Sequence, residues 1–138
     1  MMEINNETKF DLNKLKKYIS STKDIDSVFE CFNKIKLENK MLFNLYIEKL
    51  KILFVLSDDY SFLSTSSLIF SEFKIHSAVH LIVAKLLSGK FNDSGGTFLY
   101  SLMSLKKNQV VEELRSLWSK EISWEMEQKL LMMNIKPH

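Results

Sequence analysis

This chain of 138 residues has little of the three residue types that most often interrupt or cross-link a fold. It contains three glycines, one cysteine and one proline, Pro137 near the C-terminus. Proline breaks helices, so helices can run uninterrupted through everything that precedes Pro137. A single cysteine excludes a disulfide within the chain and a CxxC metal site. Cys31 stands among apolar residues at helical spacing, and we expect it to be a small core residue.

The sequence also lacks an excess of one charge sign, since 19 basic residues stand against 17 acidic ones. Without a basic tract, a direct nucleic-acid partner or an anionic membrane is not expected. The start, MMEINNETKF, has no basic segment followed by an apolar one, so we do not expect it to be a signal peptide. The most apolar segment, 41–56, contains Asn44, Glu48, Lys49 and Lys51 and is too short and charged to span a bilayer. We therefore expect a cytoplasmic protein.

What the sequence does have is helical periodicity along most of its length. Hydrophobic residues make up 46% of the chain, which excludes disorder, and the length predicts one domain over 1–138. Asp11 is a candidate N-cap for a first helix, and Thr22 or Asp24 for a second. Further helices are predicted over 41–56, 75–87, 97–105, 108–119 and 121–134. Segment 61–73 is ambiguous, because its serines and threonine weaken helix propensity.

The distribution of apolar residues predicts how these helices are arranged. In 41–56 only Asn44, Glu48 and Lys51 form a polar stripe, which predicts a helix that is buried on most sides. Pairs of short helices with short connections favour an all-α α-solenoid over a bundle. The expected architecture is a stack of antiparallel helix pairs, about seven to eight helices in all.

Two of the three glycines stand together in FNDSGGTFLYSLMSL, residues 91–105, directly before an apolar run. Residues 92–94 and Thr97 can all cap a helix, so a turn followed by a capped helix explains the segment. A phosphate-binding loop is the functional alternative. It fails because no lysine follows in the GK[ST] position, no strand precedes, and Asp93 would repel phosphate.

The same segment and the one that follows it, VVEELRSLWSKEISWEMEQKLLMM, resemble a block found in bacterial immunity proteins with a HEAT-like helical fold. The resemblance covers about a third of the chain, and it departs at Lys120, where the family has a glycine. The matching residues are Asn92, Gly96, Thr97, Leu99, Tyr100, Ser101, Leu102, Leu114, Leu117, Glu121 and Ile122.

This resemblance implies a protein that binds and neutralises a cognate toxin domain, as a monomer in the complex and without a cofactor. A helical-repeat adaptor with no toxin partner is the alternative. A nucleic-acid-binding helical-repeat protein is a third possibility, and it would need lysines and arginines collected on one face.

Residues that could carry catalysis or bind metal have simpler explanations. His76 and His80 are spaced i, i+4, but two ligands without a third do not make a metal site. Asp58 and Asp59 follow an apolar helix and are expected to form a solvated turn and N-cap rather than an acid–base pair. Tyr100, inside an apolar run, is expected to be a core aromatic residue. We therefore predict no enzyme activity, no metal and no catalytic residue.

The last helix gives the best candidate for a partner-binding surface. Ile122, Met126, Leu130 and Met133 share one face, whereas Trp124, Leu131 and Ile135 fall on nearly the opposite one. The second face is covered either by the preceding helices or by a partner, with Trp124 as an anchor of the kind enriched at hot spots. The predicted partner-binding residues are Trp124, Glu121, Glu125, Glu112, Glu113, Asp58, Asp59, Tyr60, Asn92 and Asp93.

Overall fold

The structure is a computed structural model that describes residues 12–21, 24–88, 97–105, 112, 114–119, 124–132 and 135–137. Within these ranges the chain is helical, and no described residue lies in a β-strand. The α-helices are α1 (Leu12–Ser21), α2 (Ile25–Glu38), α3 (Lys40–Leu56), α4 (Tyr60–Glu72), α5 (Val79–Leu87), α6 (Thr97–Ser104) and α7 (Trp124–Met132). Short 3-10 helices span His76–Ala78 and Ser116–Ser119. The predicted all-α class is thus confirmed.

The contacts within the chain divide it into two compact units, Met1–Ile69 and Phe70–His138. The boundary falls inside α4, which contributes residues to both units. The single domain over 1–138 stays a prediction.

Capping residues fix the starts of α2 and α3. The Asp24 carboxylate accepts hydrogen bonds from the Asp26 amide at 3.1 Å and the Ser27 hydroxyl at 2.8 Å. Asn39 serves two helices: its amide donates to the Ile35 carbonyl at the end of α2, and its Oδ1 accepts from the Leu42 amide at 3.1 Å. One residue therefore ends α2 and begins α3, which gives the tight connection between two packed helices. The predicted start at Asp24 is confirmed, whereas Asp11 lies outside the described residues.

The ambiguous segment 61–73 is helical, as part of α4. Asp59 is its N-cap and accepts from the Ser61 amide at 3.0 Å, while the Ser57 hydroxyl accepts from the Asp59 amide at 3.1 Å. Within the helix, the hydroxyls of Ser64 and Ser67 donate to the carbonyls three residues earlier, at 3.1 and 2.7 Å. These bonds satisfy the Ser64 and Ser67 hydroxyls inside the helix, so these two serines do not interrupt it. The buried Ser66 hydroxyl has no hydrogen-bond partner among the described atoms.

In the first unit, α3 packs against α1 and α2. Its inward residues are all nearly or fully buried: Phe43, Tyr46, Ile47, Leu50 and Phe54. Burial of α3 on most sides is nevertheless a wrong prediction. Asn44 and Glu48 are exposed as expected, but so is a row of large apolar side chains, namely Met41, Leu45, Ile52, Val55 and Leu56. Among the described elements, α1 and α2 pack against one face of α3, and the large apolar side chains of the other face are exposed.

In the second unit, a Schellman-type motif ends α4. Lys74 has φ 55°, its amide donates to the Ser71 carbonyl at 3.2 Å, and the Ile75 amide donates to the Phe70 carbonyl at 2.8 Å. This turn explains why the helix predicted over 75–87 begins later, as the His76–Ala78 3-10 helix followed by α5. The Lys74 ammonium donates to the Ser104 carbonyl at the end of α6, at 3.1 Å.

The core of the second unit forms where α5 packs against α6. The buried residues from α5 to the end of α6, with Ala78 before them and Leu105 after them, are Ala78, Val79, Ile82, Val83, Leu86, Phe98, Ser101, Leu102 and Leu105. Phe70, Ser71, Leu114, Leu130 and Ile135 are also buried in this unit. The glycine turn at 91–96 lies outside the described residues, as does part of the predicted helix 108–119. The residues of that helix that are described comprise helical Glu112, Leu114 and Arg115 and then the Ser116–Ser119 3-10 helix.

Candidate partner-binding surface

Hydrogen bonds in the second unit hold the C-terminal end of α7. The Ile135 amide donates to the Leu130 carbonyl at 2.9 Å, across the last turn of the helix. The indole Nε1 of Trp118 donates to the Ile135 carbonyl at 3.3 Å. Ile135 and Leu130 are both buried. These contacts fix α7 to the 3-10 helix that carries Trp118, so the outward side of α7 is presented by an anchored helix.

That outward side contains Trp124, which is 69% exposed, and Leu131, which is 44% exposed. Glu127 and Gln128 lie between them and are half-buried. The four residues are spaced i, i+3, i+4 and i+7, so they share one face of the helix. We call this set, Trp124, Glu127, Gln128 and Leu131, the α7 surface. It combines an exposed aromatic ring, an acidic group, an amide and an aliphatic group, of which the tryptophan is the residue type enriched at protein interfaces.

Of the two alternatives for this face, coverage by preceding helices does not agree with the exposure of Trp124. Leu130 is buried on the inner face, as expected. The placement of Ile135 on the same outward face as Trp124 is wrong. Helix α7 ends at Met132, so helical spacing no longer applies at Ile135, and the chain turns its side chain inward.

The acidic residues predicted beside Trp124 are only partly described. Glu112 is exposed, and its carboxylate accepts from the Arg115 guanidinium at 2.6 Å, an i, i+3 ion pair. Glu125 lies in α7, but its side chain is outside the described part, as are Glu113 and Glu121. Sequence reasoning missed Glu127, which the i+3 spacing from Trp124 would have indicated.

The remaining predicted residues fall elsewhere along the chain. Asp58 and Asp59 are exposed and Tyr60 is half-buried, all in the first unit, where Asp59 has the capping role described above. The predicted turn and N-cap at Asp58–Asp59 is confirmed. Asn92 and Asp93 lie outside the described residues.

Tyr100 requires a correction, because it is not a core residue. Its side chain is 63% exposed, and Met103, one turn further along α6, is 50% exposed. The buried face of α6 consists of Phe98, Ser101 and Leu102, and Tyr100 points away from it. The spacing of Phe98 and Leu102 could have revealed this, since Tyr100 falls on the opposite side of a helix with 3.6 residues per turn.

No described group of three or more histidine, cysteine, aspartate or glutamate side chains could hold a metal ion. His76 is half-buried in the 3-10 helix, and its Nδ1 has no hydrogen-bond partner among the described atoms. His80 is exposed on α5. The absence of metal and of catalysis stays a prediction.

In the first unit, Cys31 on α2 is half-buried rather than a fully buried core residue. It lies near the hydroxyl of the buried Tyr18 on α1. Burial raises the pKa of Tyr18 to about 12, and the charge and hydrogen bonding of the Cys31 side chain act in the same direction. Nothing else about this pair indicates a reactive thiol.

Comparison with known proteins gives no family or relative from which a function could be inferred. No protein-family model matches the sequence, and no similar curated protein or solved structure was found. In the described part of the chain, every helix is too short or too polar to cross a membrane.

Proposed function

We propose that this chain is a non-enzymatic protein-binding module, namely a cytoplasmic immunity protein that binds and neutralises a cognate bacterial toxin domain. Its proposed architecture is the HEAT-like stack of seven to eight helices expected from the sequence. The observation that supports binding most directly is the α7 surface, where Trp124 is 69% exposed on an anchored helix. A large aromatic ring in solvent at a fixed position is a typical anchor for a protein partner.

The electrostatics of this region support a partner with basic groups. Glu127 lies within one turn of Trp124. An acidic group beside an aromatic anchor speeds the encounter with a positively charged partner and fixes its orientation.

The test begins with the gene. An immunity protein is expected to lie beside a reading frame for a large secreted protein with a toxic C-terminal domain. Expression of that C-terminal domain alone should stop growth, and co-expression of the 138-residue chain should restore it. The purified pair should form a complex containing one copy of this chain.

The alternatives predict different outcomes. An adaptor has no toxic neighbour, and co-expression with the adjacent product has no effect on growth. A nucleic-acid-binding protein binds duplex or single-stranded oligonucleotides with an affinity that falls steeply with salt. Failure of the neighbouring product both to bind and to be neutralised would refute the immunity proposal.

A further inference from the structure

The outward face of α3 carries a regular seam of exposed apolar side chains. Its apolar members are Met41, Leu45, Ile52 and Val55, which are 83%, 41%, 46% and 52% exposed. Together with Glu48 they follow one another at spacings of four, three, four and three residues. We call these five residues the α3 seam.

Such alternation of four and three is the heptad pattern by which two helices pack side by side. It lies opposite the face that α3 buries against α1 and α2, so α3 has two apolar faces, of which the described helices α1 and α2 pack against one. The seam is about 21 Å long by the helical rise of 1.5 Å per residue, which suits another helix of similar length.

From the charges of this seam, we propose that its occupant is α3 of a second copy of the same chain, packed antiparallel about a two-fold axis. The one interruption of the seam is Glu48, whose carboxylate accepts a hydrogen bond from Lys51 at 2.9 Å. Glu48 and Lys51 lie on the same edge of the seam. An axis near residue 50 brings Glu48 opposite Lys51 of the second copy, and the symmetry repeats this pair.

The apolar residues fit the same arrangement. The axis near residue 50 brings Leu45 opposite Val55 of the second copy. Ile52 lies beside the axis, where it covers the aliphatic part of Glu48 of the second copy. A parallel pair would instead place the two Glu48 carboxylates side by side, which is unfavourable in a partly desolvated seam. The charge pattern therefore selects the antiparallel orientation.

The seam is short compared with a standard interface, which buries about 800 Å² per partner. We therefore expect a reversible dimer of the free chain, with a dissociation constant between about 1 µM and 1 mM. This inference is independent of the proposed toxin complex, for which one copy of the chain is expected.

The experiment is sedimentation equilibrium of the full chain over this concentration range, with charge-reversal variants. Glu48→Lys and Lys51→Glu each place like charges opposite one another across the axis, and each should weaken the dimer at least ~10-fold. The double variant restores both cross-axis pairs and should restore the dimer. Leu37→Arg is the matched control, because Leu37 is 78% exposed but lies on α2, and it should leave association unchanged.

Orientation is measured separately with a spin label at Met41→Cys in a Cys31→Ser background. The antiparallel dimer places the two labelled positions about 27 Å apart along the helix axis, whereas a parallel dimer places them side by side. A wild-type chain that stays monomeric at about 1 mM would overturn the proposal. So would a double variant that associates no better than the single ones, or a distance typical of the parallel pair.

Discussion

The outward faces of α3 and α7 differ in how their apolar residues are distributed. On α3, exposed apolar side chains repeat over four helical turns. The one acidic residue among them, Glu48, forms an ion pair with Lys51 of the same helix at 2.9 Å. On α7, one exposed indole and one leucine are separated by half-buried polar residues. The α3 seam is repetitive and matches another helix, whereas the α7 surface concentrates its contact area in one aromatic ring. The comparison shows that exposed apolar area alone does not define a binding mode, since spacing and charge decide what can cover it.

The largest expected effect separates the two faces of α3. Phe54 is fully buried, and Phe54→Ala should lower the free energy of unfolding by about 3–5 kcal/mol because it leaves a cavity. Leu56 is the matched control, because it lies two residues later and is 75% exposed. Leu56→Ala should change the free energy of unfolding by no more than about 0.5 kcal/mol. Urea unfolding monitored by circular dichroism at low protein concentration measures both. Similar losses for the two variants would mean that the outward face is covered within the chain.

The second effect tests the α7 surface against the α3 seam. Trp124→Ala should weaken binding of the toxin domain by at least ~2 kcal/mol, because the exposed indole supplies the buried anchor of the complex. Its thermal midpoint should stay near that of the wild type, since Trp124 is 69% exposed. Titration calorimetry with the toxin domain gives the binding change.

The matched control is Ile52→Ala in the α3 seam, which should bind the toxin domain as tightly as the wild type. If Trp124→Ala is folded and fully protective while Ile52→Ala is not, the assignment of the two faces is reversed. If Trp124→Ala unfolds the chain, Trp124 stabilises the fold and its assignment as a partner anchor is wrong.

The sequence predicted those features of the two faces that depend on residues close together in the chain. The helices, the Asp24 cap and the Asp58–Asp59 turn follow from spacing and capping chemistry, which act over a few residues. The exposure of α3 could not be predicted, because an all-round apolar helix has the same pattern whether its second face meets the same chain or another one. Tyr100 shows a different error: its apolar neighbours suggested burial, although its phase relative to Phe98 and Leu102 indicated the opposite side.

A smaller effect concerns the turn that opens the second unit. Lys74 occupies a left-handed position, φ 55°, which disfavours residues other than glycine by about 1 kcal/mol. Its ammonium compensates by bonding the Ser104 carbonyl at the end of α6. Both Lys74→Ala and Lys74→Gly lose that bond, but only the glycine variant also relieves the backbone. We expect Lys74→Gly to be more stable than Lys74→Ala by about 1 kcal/mol in thermal unfolding. Equal stabilities would contradict the proposed backbone cost.

The last effect appears only at alkaline pH, and it compares the units themselves. The pKa of Tyr18 in the first unit is raised to about 12, first by burial and then by Cys31, from an ordinary value of 10.0. The folded state therefore keeps the phenol proton where the unfolded chain has lost it. The resulting stability is fully present below pH 10 and is lost as the pH rises towards 12. Tyr18→Phe, which has no proton to lose, should flatten this decline.

Both tryptophans, Trp118 and Trp124, belong to the second unit, so their fluorescence reports on that unit while circular dichroism reports on all the helices. If the chain is a single domain, the two signals change together as the pH rises from 10 to 12. If the first unit unfolds separately, helicity falls while the tryptophan emission is unchanged. A wild type and a Tyr18→Phe variant with the same pH dependence would show instead that the alkaline transition does not involve Tyr18.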